Sequence, residues 1–559
     1  INLRFAPTDV AAGITLSLLT LLAVIIAAGQ GRSVVVRRDW HWAIGDWRTA
    51  CAPSPLAAAV AKWGMTAVLL LGFGLRVLRL GYQELRGEEA VAYLFARLPA
   101  AQIIPALLAD GNPQSPFHYL LLHGWMNLTG DSEFAMRFIA LVPGVLLLPL
   151  IYVLGTTLSG RKLGLLAAFL GAISQSLVRL AQDVDGQYML ALFFGALATA
   201  LLTRYLVPQR TKAGTPFVVS RRRSVLWLAY AAAAATAVYS HTYAVFILLA
   251  HGFYLWQPTA GRVRRLGAWV LSGVTAVLLI APWLLTLWPN LTAAEPLGNL
   301  SGPELAGYLA DAGVELAVGS AVDGWAVRWV FVAVLGLVLL GAWALFRQKP
   351  AWAAMLTGWW GIPTLAIFLI RYNRAAFDAV YISLAAPAWW LLAATGLLVL
   401  WRQPARWPRG LAAAGLGLII LGNGLSLAQH YFDPAHSSTS GYREMAAHVT
   451  AAEQPGDVFL AHFPDPALSY YLRRSAIPIV MQPETRDADP ANTEAALEKL
   501  TLTYQRVWFV PYSDSGWDAE NVVGRWLDYH LLHEERTEPG RKTLWAYRPM
   551  SSATAVLTP

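Results

Sequence analysis

Charge is scarce in this chain. Asp, Glu, Lys and Arg make up 14% of its 559 residues, against about 25% in ordinary soluble domains, which excludes a water-soluble globule of this size. Cysteine is almost absent: Cys51 is the only one, so neither an internal disulfide nor a thiol-rich metal site can form. No Gly-rich phosphate loop follows any predicted strand, which argues against a bound nucleotide. No repeat of 20–50 residues and no inverted repeat of the transporter kind is visible. Acidic residues are the rarer sign, 34 against 42 basic, for a net charge of +8. The basic residues sit in short loops between apolar runs. The excess therefore reads as orientation in a membrane and not as affinity for nucleic acid.

What is abundant is apolar sequence. Hydrophobic residues reach 56% and the mean hydropathy is +0.46. Windows of about 20 apolar residues, the length that crosses a bilayer as a helix, recur at about 9–30, 57–79, 138–158, 163–180, 187–206, 225–241, 243–257, 266–288, 326–346, 351–370, 379–401 and 410–429. The expected fold class is thus a polytopic α-helical membrane protein of about twelve spans, with 225–257 readable as one bent hairpin or two helices. Residues 9–30 are readable as a signal peptide ending near Ala27-Ala28 or as a retained helix, and the run, long for a signal-peptide core, favours the retained helix. With twelve spans, every basic loop falls on one side, from Arg32, Arg37, Arg38 and Arg48 through Arg221–Arg223 to Arg402, Arg406 and Arg409. By the positive-inside rule that side is cytoplasmic. The opposite side then receives the loop at 80–137, the turn at Asp183 and Asp185, the acidic loop 289–325, the turn 371–378 and the C-terminal region.

Composition changes after Gln429. Segments 457–463, 477–482, 506–512 and 543–549 read as strands, and 440–452, 465–474, 491–504 and 518–532 as helices, which predicts a small α/β domain. Three divisions follow: 1–56, an extra span with a basic cytoplasmic loop; 57–429, the membrane module with its first outer loop 80–137; and 430–559, an extracytoplasmic α/β domain.

The outer loop carries the chemistry. It opens with Glu88-Glu89, then short amphipathic pieces, then Ser115-Pro116 and a run of aromatics. A carboxylate pulled to the bilayer centre costs roughly 2.5–3.5 kcal/mol, so this pair is expected to face a polar cavity or a headgroup. A carboxylate there is a candidate general base, and a base of that kind is worth about 10²–10⁴ in rate.

Several stretches, in order, resemble the GT-C glycosyltransferases related to protein O-mannosyltransferases and lipid A aminoarabinose transferases. They are LRVLRLG (75–81), the acidic pair followed by AVAYLFAR (90–97), SPFHYLLLHGWMNLTGDSEFAMRF (115–138), LSGRKLGLLAAFLGAIS (158–174), QDVDGQYMLAL (182–192), YSHTYAVFILLAHGFYL (239–255) and APWLLTL (281–287). The resemblance covers 57–290 well and 350–400 loosely, and it is the order of the motifs that is specific. It implies transfer of a sugar from a polyprenyl-phosphate donor to an acceptor hydroxyl at the outer face, with inversion. It also implies that Glu88, standing where the family has Asp, is the catalytic base, with Glu89 in support.

Asp183 and Asp185 fall where relatives place an acid near the base, on the acceptor or metal side. Carboxylates at Glu88 and at Asp183 or Asp185 leave room for a divalent cation bound through oxygen, and no other cofactor is called for. His241, beside Tyr243, matches a family histidine and is a donor-phosphate candidate. Arg371 and Arg374 offer guanidinium groups for the same phosphate. They stand in for the Arg of the family's Arg-Tyr, which here is Val380-Tyr381, so Tyr381 joins the set. Arg137 matches a family Arg at the end of the loop. His118 and His123, at i and i+5, suit a structural or interfacial role better than a metal pair. The expected partners are a polyprenyl-phosphate-linked sugar, a hydroxyl acceptor and the lipid bilayer. Two rival readings remain: a catalytically inactive GT-C-like subunit with an assembly or binding role, motivated by the altered acidic pair and the missing Arg, and a transporter, disfavoured because spans such as 138–158 and 410–429 lack charge.

Overall fold

The computed structural model describes residues 55–110, 114–206, 221–256, 262–292, 305–322, 325–371, 379–433, 440–486, 488–511, 517–518 and 520–549. The expected span at 9–30, Cys51 and Arg374 lie outside them. The chain divides into two compact units, one of residues 1–80 and 99–436, the other of residues 81–98 and 437–559. The sequence had placed all of 80–137 with the membrane module; the compact units divide that stretch at Leu80 and at Pro99.

The larger unit is all helical, and its helices in chain order are α1 (Pro55–Val77), α3 (Ala100–Ala109), α4 (Pro116–Thr129), α5 (Glu133–Ser159), α6 (Arg161–Ile173), α7 (Gln175–Ala181), α8 (Gln187–Ala200), α9 (Arg221–Ser240), α10 (Val245–Leu255), α11 (Arg262–Thr292), α12 (Leu305–Ala317), α13 (Trp325–Gln348), α14 (Pro350–Arg371), α15 (Ala386–Trp401) and α16 (Arg406–Phe432). Helix α2 (Gly87–Ala96) belongs to the other unit. Among the described residues seven helices are long and apolar enough to cross a membrane, or eight if the bent pair α6–α7 is one span, and four shorter apolar helices accompany them. The chain is a multi-pass membrane protein.

Burial separates centre from rim. The span within Val380–Trp401 is 94% buried, whereas that within Arg262–Trp283 is 22% buried. The first is apolar on every side and forms the core. The second turns Val270, Leu271, Val277, Leu278 and Leu279 outward, as a lipid-facing helix does. Helices α13 and α15 cross closely because each offers glycine. A Cβ on Gly341 would meet the Leu392 carbonyl oxygen at 2.0 Å, and one on Gly396 the Leu337 carbonyl oxygen at 2.1 Å. Small residues at a crossing let backbones approach and replace the hydrophobic drive that lipid cannot supply.

One expected span is broken, and the ambiguous run 225–257 resolves. The run 163–180 bends by 63° at Ser174. Breaking a helix in an apolar interior frees backbone groups that must find partners. Arg76 Nη1 donates to the Ala172 carbonyl at 3.2 Å and Nη2 to that of Gly171 at 3.3 Å, while Asn423 Oδ1 accepts from Gln175 N at 3.1 Å. The run 225–257 is two helices, α9 and α10, parted by extended His241 and a 3-10 turn at Thr242–Ala244.

The smaller unit is α/β. It contains α2, α17 (Tyr442–Ala452), β1 (Asp457–Ala461), α18 (Pro466–Tyr471), β2 (Ile479–Met481), α19 (Pro490–Thr503), β3 (Arg506–Phe509), α20 (Val522–His530), β4 (Leu531–Thr537) and β5 (Leu544–Pro549). The sheet order is β2-β1-β3-β5-β4, parallel across β2-β1-β3 and antiparallel beyond. Strands β1 and β3 are buried throughout, hence their unbroken apolar runs. The expected helix 518–532 is shorter than read, and the sequence reading missed β4. Its residues, LLHEERT, are charged and largely exposed, as befits an edge strand that must not pair with another chain.

Glu84 holds the 81–98 stretch in this unit. Its buried carboxylate accepts from Ser440 N (2.7 Å), Ser440 Oγ (3.2 Å), Gly441 N (2.9 Å) and Arg443 N (2.7 Å) at the start of α17. The Arg443 guanidinium in return donates to the carbonyls of Gly81, Tyr82 and Gln83. A carboxylate at a helix N-terminus meets orphan N–H groups and the positive end of the dipole.

Candidate active site

The acidic pair stands at the start of α2, which follows extended Arg86. Glu89 is buried, and its Oε2 accepts from Arg86 N at 3.0 Å, closing a capping box, with Arg86 Nε 3.9 Å away. Glu88 is one residue earlier, in the first turn and exposed. One carboxylate thus terminates the helix and the other is left in the open, although the sequence presents them as equals.

In the larger unit, the turn before α8 gathers a polar network. Asp183 Oδ1 accepts from Asp185 N at 2.9 Å and Gly186 N donates to the Val184 carbonyl at 2.8 Å, which tightens the turn. Buried Asp185 turns inward, and its Oδ1 accepts from Gln187 Nε2 at 2.7 Å. Gln187 Nε2 also donates to Gln114 Oε1, which takes the Tyr119 hydroxyl at 2.8 Å. His118, fully buried on α4, has its Nε2 3.8 Å from Asp185 Oδ1. Burial pushes its imidazole down to about 4, against a smaller opposing effect of the Val184 backbone, so it stays neutral. The sequence reading weighed Asp183 and Asp185 alike. The structure leaves Asp183 half-buried and encloses Asp185.

His241 and Tyr381, 140 positions apart, come together through rings the sequence did not rank. The His241 imidazole lies 4.3 Å from the Tyr188 ring, centroid to centroid, and 4.8 Å from that of Tyr243. Tyr381 lies 5.9 Å from Tyr188 and 6.1 Å from Tyr243. His241 also caps its 3-10 turn, Nδ1 accepting from Tyr243 N at 3.2 Å. Tyr381 sits on a 3-10 segment, Ala379–Ala385. Four aromatic faces from three segments thus form one cluster.

The basic candidates separate. Arg137 is buried on α5, its Nη1 donating to the Leu80 carbonyl at 2.8 Å. Arg371 is the last residue of α14, and Arg374 is outside the described residues. A further cation, Arg179 on α7, pairs with Glu315 at 3.0 Å; neither was singled out from sequence. The available signal was a lone charge, Arg179, in α7, and Glu315 as one of two acids in α12. Among the described residues no group of three or more His, Cys, Asp or Glu side chains is arranged to hold a metal, and Glu88 and the Asp183–Asp185 turn belong to different units.

Residues 113–286 match the family model described as dolichyl-phosphate-mannose-protein mannosyltransferase. Among solved structures the chain is similar to ArnT from Cupriavidus metallidurans in the apo state, with 15% identity and a TM-score of 0.56 over 88% of this chain and 98% of that one. The chain has the GT-C fold of that ArnT. The same bacterial ArnT bound to undecaprenyl phosphate aligns with a TM-score of 0.55, again at 15% identity and with the same coverage. The archaeal oligosaccharyltransferase AglB from Archaeoglobus fulgidus, in complex with an inhibitory peptide and a dolichol-phosphate, aligns with a TM-score of 0.53 at 12% identity, over 88% of this chain and 75% of that one. No curated protein matches in sequence. The GT-C likeness extends past the 57–290 stretch where the motifs lie, through the helices that follow.

Proposed function

We infer that this GT-C protein is a membrane glycosyltransferase that moves a sugar from a polyprenyl-phosphate donor to an acceptor hydroxyl at the outer face of the membrane, with inversion. The observation that carries the reading is Glu88, an exposed carboxylate in the first turn of α2, outside every candidate span. Two neighbours of the fold support it, one bound to undecaprenyl phosphate and one to a dolichol-phosphate.

Glu88 takes the proton of the acceptor hydroxyl as its oxygen attacks the anomeric carbon from the face opposite the phosphate. The bond from that carbon to the phosphate oxygen breaks, its electron pair leaves with the polyprenyl phosphate, and the proton remains on Glu88. Attack opposite the leaving group inverts the centre. Glu89 supports this step through its capping box, which fixes the first turn of α2 and with it the base. Asp183 and Asp185 serve the acceptor side. His241, Tyr381, Arg371, Arg374 and Arg137 serve the donor phosphate, with the Tyr188–Tyr243 faces offering flat apolar surface to the sugar or the first isoprene unit. The C-terminal unit is extracytoplasmic in this reading, which follows from the basic loops on the opposite side.

The test is release of polyprenyl phosphate from a panel of polyprenyl-phosphate sugars by the purified protein. Glu88→Gln is expected to lower turnover by about 10²–10⁴-fold. An unchanged rate in that variant would remove Glu88 from the mechanism. No turnover with any donor would favour the inactive-subunit reading, which the replacement of the family's Asp by Glu88 motivates.

A further inference from the structure

The ion pair of Arg179 and Glu315 has no part in the steps above. Arg179 Nη2 donates to Glu315 Oε1 at 3.0 Å, and Ser383 Oγ donates to the same oxygen at 3.1 Å. The Glu315 side chain is 1% exposed and that of Arg179 14%. Ionised groups are expensive in an apolar membrane unit, and a packed apolar pair often serves cohesion as well. Cohesion is already provided here. Ser176 Oγ donates to the Glu315 carbonyl. Asn423 bridges the start of α7 to the end of α12, accepting from Gln175 N at 3.1 Å and donating to the Ala317 carbonyl at 2.9 Å. Neutral bonds therefore lock α7 to α12 without the charges.

The geometry of the pair is also not that of a structural clamp. A guanidinium gains most from a carboxylate by a two-pronged contact. Arg179 makes one hydrogen bond to Glu315, and neither Arg179 Nε nor Glu315 Oε2 has a hydrogen-bond partner among the described residues. The cation is held by one edge. Its location gives it a use: Ser383, which shares the carboxylate oxygen, lies two residues beyond Tyr381 on the same 3-10 segment, and Tyr381 packs against Tyr188 and Tyr243.

We propose that Arg179 binds the phosphate of the polyprenyl-phosphate donor, with Glu315 and Ser383 as positioning residues that hold the guanidinium ready before the lipid arrives. The proposal rests on the glycosyl-transfer reading and adds a residue to its donor side. A cation fixed beforehand loses little freedom on binding and neutralises the charge that grows on the leaving phosphate.

Binding, not turnover, tests it. The full-length protein in detergent is titrated with a short-chain polyprenyl phosphate and, in parallel, with the matching polyprenol. Arg179→Lys keeps the charge and loses the planar fork. It is expected to weaken polyprenyl phosphate binding by about tenfold, the loss of one charge-assisted hydrogen bond, and to leave polyprenol binding unchanged. Glu315→Gln is expected to weaken phosphate binding in the same selective way. Equal affinity of Arg179→Lys and the unaltered protein for polyprenyl phosphate overturns the proposal. If Arg179→Lys does not fold, Ser383→Ala decides, because it leaves the ion pair in place and removes one bond to Glu315. Selective weakening by about two- to fivefold supports the assignment, and no change overturns it. If the unaltered protein fails to prefer the phosphate over the alcohol, the donor reading itself falls, and this assignment with it.

Discussion

The two units treat buried charge differently. In the α/β unit, one buried ion pair lies among the strands and one buried carboxylate collects donors at a helix start. Arg506 Nη2 meets Asp457 Oδ2 at 2.6 Å and its Nε meets Oδ1 at 3.0 Å, while Trp508 Nε1 donates to the same carboxylate at 3.0 Å. Glu84 accepts four hydrogen bonds. In the helical unit, the pair of Arg179 and Glu315 aside, buried guanidinium groups are directed at backbone carbonyls. Arg76 donates to the carbonyls of Gly72, Gly171 and Ala172, and Arg137 to that of Leu80. A sheet satisfies its own backbone, so the Arg506–Asp457 charges are free to cross-link side chains, whereas Glu84 and Arg443 serve the backbone outside the sheet. A broken or ended helix within an apolar unit exposes carbonyls that water cannot reach, and a long cation is what fits them.

That contrast can be broken at several points, and the largest effect is expected at Glu84. Glu84→Ala takes the acceptor from Ser440, buried Gly441 and Arg443 together, at about 1–3 kcal/mol for each donor that water does not reach, and frees the 81–98 stretch from the α/β unit. Limited proteolysis of that stretch should show it, and retained protease resistance would refute the anchoring role. Arg506→Met leaves Asp457 buried and unpaired, at about 3–5 kcal/mol. This pair also sets a pH dependence. Burial alone would raise the Asp457 carboxyl, but hydrogen bonds from Arg506, Trp508 and the Gln454 backbone outweigh it and hold the group below its usual value. A carboxylate depressed in the folded state adds stability above its unfolded value and loses it as pH falls through the folded one. The stability gap between Arg506→Met and the unaltered protein should therefore narrow as pH falls, because acid removes the Asp457 contribution that only the unaltered protein has, which urea titrations across pH 3–7 would check.

In the helical unit, Gly396→Val drives a side chain into the Leu337 carbonyl, a backbone contact that cannot rotate away. A loss of about 1–3 kcal/mol is expected, read as a lower thermal midpoint in detergent. Wild-type stability would show that α13 and α15 can part without cost. The smallest effect is expected at Ser132, whose Oγ accepts from Ala135 N at 3.2 Å at the start of α5. Ser132→Ala should cost about 1 kcal/mol, and a loss several times larger would mean that Ser132 does more than cap.

Much of the membrane architecture was legible from residues because lipid demands long apolar runs, and runs such as 326–346 and 351–370 correspond to α13 and α14. The break at Ser174 was not legible, because what stabilises it comes from Arg76 and Asn423, each far away in sequence. The strands β1 and β3 were visible as apolar runs, whereas β4 was hidden by its charge. Glu88 and Glu89 were found as a pair, but their difference depends on a capping box that only the turn of the chain reveals.

The sequence by itself determined the class of protein, the order of its motifs and the identity of its candidate groups, since composition and apolar run length respond directly to the bilayer. Which of those groups meet was decided by tertiary structure alone. The Tyr188–His241–Tyr381 cluster and the Arg179–Glu315 pair each join segments more than a hundred residues apart, and no local pattern encodes which helices become neighbours; crossing glycines, broken helices and shared hydrogen bonds do.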